Sequence, residues 1–141
     1  MPNDRSMKLL NTVNRVVQKV SGGRMGWEFG GMPVLELTTT GRKTGLLRST
    51  LLTSPVQLDG AWVVVASRGG DDTHPAWFHN LSANPHVTVS VKGAKPVEMT
   101  ARIASAAERA ELWPRVTVDH RNYAEYQEKT EREIPLVILA P

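Results

Sequence analysis

Residues Thr38 to Arg48 read T-T-T-G-R-K-T-G-L-L-R. One β-branched run leads into this stretch and a second β-like run leaves it, so the glycines between them read as the tip of an antiparallel hairpin. Gly41 and Gly45 permit the positive φ of a tight connection. Backbone N–H groups can then converge while Arg42, Lys43 and Arg48 bring charge, which is how a chain builds an anion cradle. The expected guest is a phosphate or a carboxylate. The segment is not a P-loop, because that motif places Gly directly before Lys, and Arg42 stands there instead. The same residues also read as a solvated basic hairpin tip.

Outward from the hairpin, β signals cover Val34–Thr40, Leu46–Leu58 and Ala61–Ser67, with Asp59-Gly60 as the turn between the last two. They return over His86–Lys92, over Val97–Ile103 across a turn containing Gly93, and over Ile134–Ala140. Six largely antiparallel strands with no βαβ repeat predict a mainly β (α+β) fold, a six-stranded split β-barrel whose closure removes exposed edges. Peripheral helices fit between them. Pro75 opens a short helix that Asn84-Pro85 closes. Ser105 and Glu108 form a capping box for a helix that Pro114 is expected to interrupt, and a second helical stretch follows to about Lys129. Ahead of the barrel, Met7, Leu9, Leu10, Val13, Val16, Val17 and Val20 fall on one helical face that ends at Gly22-Gly23. That amphipathic helix reads as a lid on the domain or as an interfacial helix on anionic lipid. The expected organisation is therefore a helix over 1–22 and one domain over 33–141.

A chain of 141 residues buries roughly two-thirds of its unfolded surface without staples. The absence of cysteine rules out thiolate metal sites, cysteine nucleophiles and disulfides. His74, His79, His86 and His120 lack metal-ligand spacing, so no metal is expected. The net charge of +3 suits an anionic ligand, an acidic membrane or nucleic acid alike. Apart from residues 42–48 the basic residues are dispersed, which argues against nucleic acid. No G-x-G-x-x-G follows a strand, so a Rossmann site is not expected. No apolar run reaches bilayer length and Met1–Lys8 lacks signal architecture, so the expected location is the cytoplasm. The R-G-G-D-D composition of residues 68–72 marks either a ligand-approach loop or a plain surface loop.

Four pieces in order, T-T-T-G-R-K-T-G-x-x-R, A-S-R-G-G, H-P-A-W-F-H-N-L-S-A-N-P and Y-A-E-Y-Q-x-K-T-x-R-x-I-P-L-V-I-L, resemble the deazaflavin-dependent nitroreductase family of the flavin/deazaflavin oxidoreductase superfamily. The resemblance spans residues 33–141 and implies an FMN-binding-like split barrel that uses coenzyme F420. The implied reaction is hydride transfer from the reduced deazaflavin to a quinone or nitroaromatic acceptor. By the same resemblance, Arg42, Lys43, Thr44 and Arg48 hold the phosphate and the start of the oligoglutamate tail. Ser49, Thr50, Leu51, Leu52 and Thr53 line the strand beside the cofactor, and Val65, Ala66, Ser67 and Arg68 approach the ring. Ala76, Trp77 and Asn80 close over it, although Trp77 also reads as a core plug. Tyr123 and Tyr126, three apart on one helical face, line the substrate side, with Tyr123 also at the cofactor; Tyr123, Tyr126 and Ser67 are the candidate catalytic residues. Thr53 stands where some nitroimidazole-active relatives carry a tyrosine, which favours quinones over nitroimidazoles. The other readings are a non-catalytic carrier of deazaflavin or another anionic lipophile, and an FMN enzyme on the same barrel.

Overall fold

The computed structural model describes residues 28–29 and 31–141. The amphipathic helix expected over 1–22 lies outside the described residues. The strands are β1 (Glu28–Phe29), β2 (Met32–Thr40), β3 (Leu47–Thr53), β4 (Val56–Leu58), β5 (Ala61–Val65), β6 (His86–Val91), β7 (Val97–Ile103) and β8 (Leu136–Ala140). The helices are α1 (Ala76–Ala83), α2 (Ala106–Asp119) and α3 (Arg121–Glu128). One curled antiparallel sheet runs β1-β2-β6-β7-β8-β5-β4, with β3 also paired to β2.

Among the described residues, eight strands thus stand where six are expected. One addition is β1, and the other comes from splitting the expected strand Leu46–Leu58. Pro55 has no N–H to give a ladder. At Ser54 the chain donates its backbone N–H to Pro33 O (3.0 Å) and turns its hydroxyl inward onto Val56 O and Val63 O (2.9 and 2.7 Å). The segment before this point pairs with β2 and the segment after it pairs with β5. Those are opposite ends of the sheet, so a covalent bridge spans the ends where no ladder closes them. The result is a half-barrel in which β3 has one edge unpaired by any other described strand.

Both faces of the sheet carry a core, because successive strand residues point to opposite sides. Val64, Val137 and Leu139 face Leu35, Leu37 and α1, which contributes Trp77, Phe78 and Leu81. Val63, Val65, Leu136 and Ile138 face α2 and α3 through Leu112, Val116 and Tyr123. The Ser105–Glu108 capping box forms as expected. Pro114, however, sits inside a continuous α2 and does not end it. Ala110, whose carbonyl loses its helical partner to that proline, is an exposed residue, so the freed carbonyl is not forced into an apolar interior. The break falls instead at His120 (φ −136°, ψ 78°), between α2 and α3.

Candidate functional site

The hairpin between β2 and β3 is built from its own residues. Gly41 N–H donates to Leu46 O, and Gly45 N–H to Gly41 O, both at 2.8 Å. Gly45 takes φ 72°, a value for which a side chain would be strained. A Cβ on Gly41 would lie 2.8 Å from the Thr44 hydroxyl, which itself accepts Leu46 N–H at 3.2 Å. Arg42, Lys43 and Arg48 are exposed, and among the described residues none of them pairs with a carboxylate. The tip is anchored from below. Asn80 on α1, only 7% exposed, accepts Arg42 N–H at Oδ1 (3.1 Å) and donates through Nδ2 to the Thr39 hydroxyl (3.1 Å). Its polar atoms are therefore occupied by the protein, which makes it the post on which the cradle rests.

Along β3 the pleat divides the expected lining residues into two sets. Arg48, Thr50 and Leu52 oppose Thr39, Leu37 and Leu35, whereas Ser49, Leu51 and Thr53 oppose Thr38, Glu36 and Val34. Leu52 packs on the α1-side core, and the Ser49 hydroxyl pairs with the Thr38 hydroxyl at 2.8 Å. A ligand that met both sets would have to lie along the unpaired edge of β3.

Thr53 reaches across the sheet ends. Its hydroxyl shares a hydrogen bond with the Tyr123 hydroxyl at 3.0 Å, and the Tyr123 hydroxyl also contacts Met32 Sδ at 3.8 Å. Tyr123 is 6% exposed, and burial raises its pKa above the ordinary value, partly opposed by the Thr53 bond. It is a protonated, tethered phenol. Tyr126 stands edge-on to it with centroids 6.0 Å apart and is half-buried, with Lys129 Nζ 5.6 Å from its ring centroid.

Beyond β5, Val65 faces the α2–α3 side while Ala66 and Trp77 share the α1-side core. Trp77 is thus a core residue, and Ala76 beside it is half-buried. Ser67 and Arg68 begin a turn in which Arg68, Gly69 and Gly70 take φ of 47°, 65° and 86°. Gly70 is confined as well as twisted: a Cβ there would lie 2.8 Å from Tyr126 O. Arg68 Nη1 donates to the Thr73 hydroxyl at 3.0 Å. The carbonyls of Ala66, Ser67 and Asp71 all accept from Arg132, which lies beyond α3. Arg132 is absent from the expected site residues, though it stands in the recognisable K-T-x-R-x-I-P stretch. The arrangement joins Asn80 to the cradle, Thr53 to Tyr123 and the Ser67–Gly70 turn to Tyr126.

Residues 9–141 match the family profile described as F420H(2)-dependent quinone reductase. The chain is 41% identical over 127 residues to an F420H(2)-dependent quinone reductase of Mycobacterium tuberculosis (strain ATCC 25618 / H37Rv), a span covering 87% of this chain and 84% of that protein. A solved F420-H2 dependent reductase, FDR-A, is 42% identical with a TM-score of 0.67, covering 76% of this chain and 93% of its own. Another solved structure, described as a domain-swapped dimer, is 35% identical with a TM-score of 0.68, covering 91% of this chain and 98% of its own. Fold and relatives together define an oxidoreductase of the deazaflavin-dependent class. The chain belongs to the F420H(2)-dependent quinone reductase family, whose name specifies reduced coenzyme F420 as reductant and a quinone as acceptor.

Proposed function

We propose that the protein binds coenzyme F420 along the open edge of β3, its anionic end in the Arg42–Arg48 cradle and its ring toward Ser67 and the tyrosines, and reduces a quinone there. The observation that carries this reading is the cradle itself: three exposed cations that no described carboxylate neutralises, on a turn whose backbone is pinned by Asn80. That donor set fits a phosphate followed by carboxylates, and each charge-assisted bond contributes about 1.5–3 kcal/mol. Arg42, Lys43, Thr44 and Arg48 would hold the anionic end. Thr50 and Leu52 on one face of β3, and Ser49, Leu51 and Thr53 on the other, would flank the body of the ligand. Val65–Arg68, with Ala76 and Trp77 behind them, would support the ring. In this reading the sheet is a split barrel of the FMN-binding kind, formed by residues 33–141 as one domain.

When bound, the reduced deazaflavin supplies a hydride, the equivalent of two electrons and one proton. The protein's part is to hold the acceptor face-on and to neutralise the oxyanion that forms on it. Tyr123 is poorly placed to donate, since its hydroxyl is buried and already bonded to Thr53. It fixes the edge-on orientation of Tyr126, and the half-buried Tyr126 is the better donor; Ser67, at 8% exposure nearly as buried as Tyr123, would serve only an acceptor oxygen brought directly against its turn. Thr53 is engaged with Tyr123 and presents no aromatic surface, which favours a quinone over a nitroaromatic acceptor. A cytoplasmic enzyme with a lipophilic acceptor would gain from peripheral membrane contact through residues 1–22. Quenching of F420 fluorescence by the purified protein, followed by menadione-dependent oxidation of the reduced coenzyme, tests the reading. Binding without turnover would make the protein a carrier, and a yellow protein retaining FMN would replace F420 altogether.

A further inference from the structure

The geometry points to Arg132 as a positioning residue for the Ser67–Asp72 turn. The inference rests on the proposal that this turn faces the cofactor. Ser67 is right-handed (φ −80°, ψ −38°), and the next three residues are left-handed. For Arg68, which has a Cβ, a left-handed φ costs about 1–2 kcal/mol. Such a path also takes carbonyls off the strand and helix ladders, and within the turn itself only Ser67 O and Arg68 O accept a backbone N–H, from Gly70 at 3.0 Å and Asp71 at 3.2 Å.

Arg132 fills that gap. Its Nε donates to Asp71 O (2.9 Å), its Nη2 to Ser67 O (2.9 Å) and its Nη1 to Ala66 O (3.3 Å), with His74 Nδ1 at 3.1 Å from the same Nη1. Only a guanidinium offers several donors in one rigid plane, so a single side chain here does the work of a missing strand partner. Two further ties act in the same direction. The Thr130 hydroxyl donates to Asp72 Oδ1 at 2.8 Å, and Gln127 Nε2 donates to Arg132 O at 2.7 Å, which anchors the clamp to α3. Since Gly70 abuts the backbone of Tyr126, the turn and the tyrosine helix are held as one body. Arg132 thereby sets the separation between the ring side and the acceptor side of the site without touching either ligand.

The test uses Arg132→Lys and Arg132→Ala in the full chain, with F420 and menadione as probes. Lysine keeps the charge and most of the stem, but its three donors sit on one nitrogen and cannot reproduce the planar spread by which Nε, Nη1 and Nη2 each reach a different carbonyl. Both variants should bind F420 about 10-fold more weakly and lower kcat with menadione about 10-fold, less than the roughly 100-fold that misplacement by a full ångström can cost. KM for menadione should stay within about twofold, since the clamp touches no acceptor. Amide exchange of residues 68–72 should rise even without ligand. Low-millimolar guanidinium, but not ammonium, should restore part of the Arg132→Ala turnover, which loss of global stability alone would not allow. If Arg132→Ala does not fold, Arg132→Lys carries the same comparison. Faster exchange with wild-type F420 affinity and kcat overturns the proposal. In that event Lys43→Ala in the same titration separates the causes: weakened binding keeps the F420 site and removes only the clamp's role, whereas unchanged binding removes the site as well.

Discussion

The two ends of the proposed site are held together at very different distances along the chain. In the cradle, Gly41, Thr44, Gly45 and Leu46 bond one another, and among the described residues only Asn80 comes from elsewhere. The turn at Ser67–Asp72 depends on Arg132 and Thr130, about 60 residues on, and Thr53 meets Tyr123 across 70. The cradle's cations are exposed, so each can be removed with little effect on folding. The opposite end is embedded in the α2–α3 core through Tyr123, so disturbing it moves both fold and chemistry. Affinity for a charged tail can be built on a surface hairpin. Alignment of a hydride donor with an acceptor needs parts of the chain that only tertiary packing brings together.

The sharpest way to break this contrast is at the glycines of the turn. Gly70→Ala meets Tyr126 O and a left-handed φ together, so it should destabilise by about 3 kcal/mol and lower turnover. Gly69→Ala, with φ 65° and nothing within 4 Å, should cost only the conformational share, about 1 kcal/mol. Urea unfolding of both variants reads the difference, and equal losses would mean that the turn does not bear on α3. Next in size, Lys43→Ala and Arg48→Ala should each weaken F420 about 10-fold or more with unchanged unfolding midpoints. The loss should shrink at high salt. Fluorescence titration decides it, and a fall in stability instead would make the cradle as embedded as the turn.

Asn80→Ala sharpens the same contrast, since it removes the cradle's post and leaves all its charges. A loss of F420 affinity of about fivefold, with the salt dependence intact, is expected from the loss of about 1 kcal/mol of positioning. Tyr123→Phe should leave F420 affinity unchanged and destabilise by about 1 kcal/mol through the lost Thr53 partner. It should reduce menadione turnover less than Tyr126→Phe does. Steady-state rates that rank the two tyrosines the other way would return the donor role to Tyr123.

The smallest effect is in acid. Burial first, then the charges of Arg132 and His79, hold His74 below its ordinary pKa of 6.5, and its Nδ1 accepts from Arg132 only when unprotonated. The unfolded chain takes up this proton more readily, so stability should fall as pH drops below 6.5 toward the lowered folded value. His74→Ala should flatten that slope in unfolding measured at neutral pH and at about pH 5.5. Glu108, held at about 2 by its bonds to Arg102, titrates in a lower window and does not interfere.

Periodicity and turn chemistry alone located β7 at Val97–Ile103, the capping box at Ser105 and the hairpin with its cations, because each rests on interactions within a few residues. The same local rules misjudged Ser54–Pro55 and Pro114. Whether a proline breaks an element depends on what lies beside it: a sheet end awaiting a new partner in the first case, water in the second. Chain order could likewise propose Tyr123 and Tyr126 as neighbours but could not show that Thr53 occupies the hydroxyl of one and leaves the other open. Arg132 stands inside the recognisable K-T-x-R-x-I-P stretch, but nothing within a few residues of it signals what it does. Its role arises from carbonyls 61 to 66 positions earlier that lie outside any strand or helix ladder, and such groups meet a distant partner only when the whole chain has closed around them.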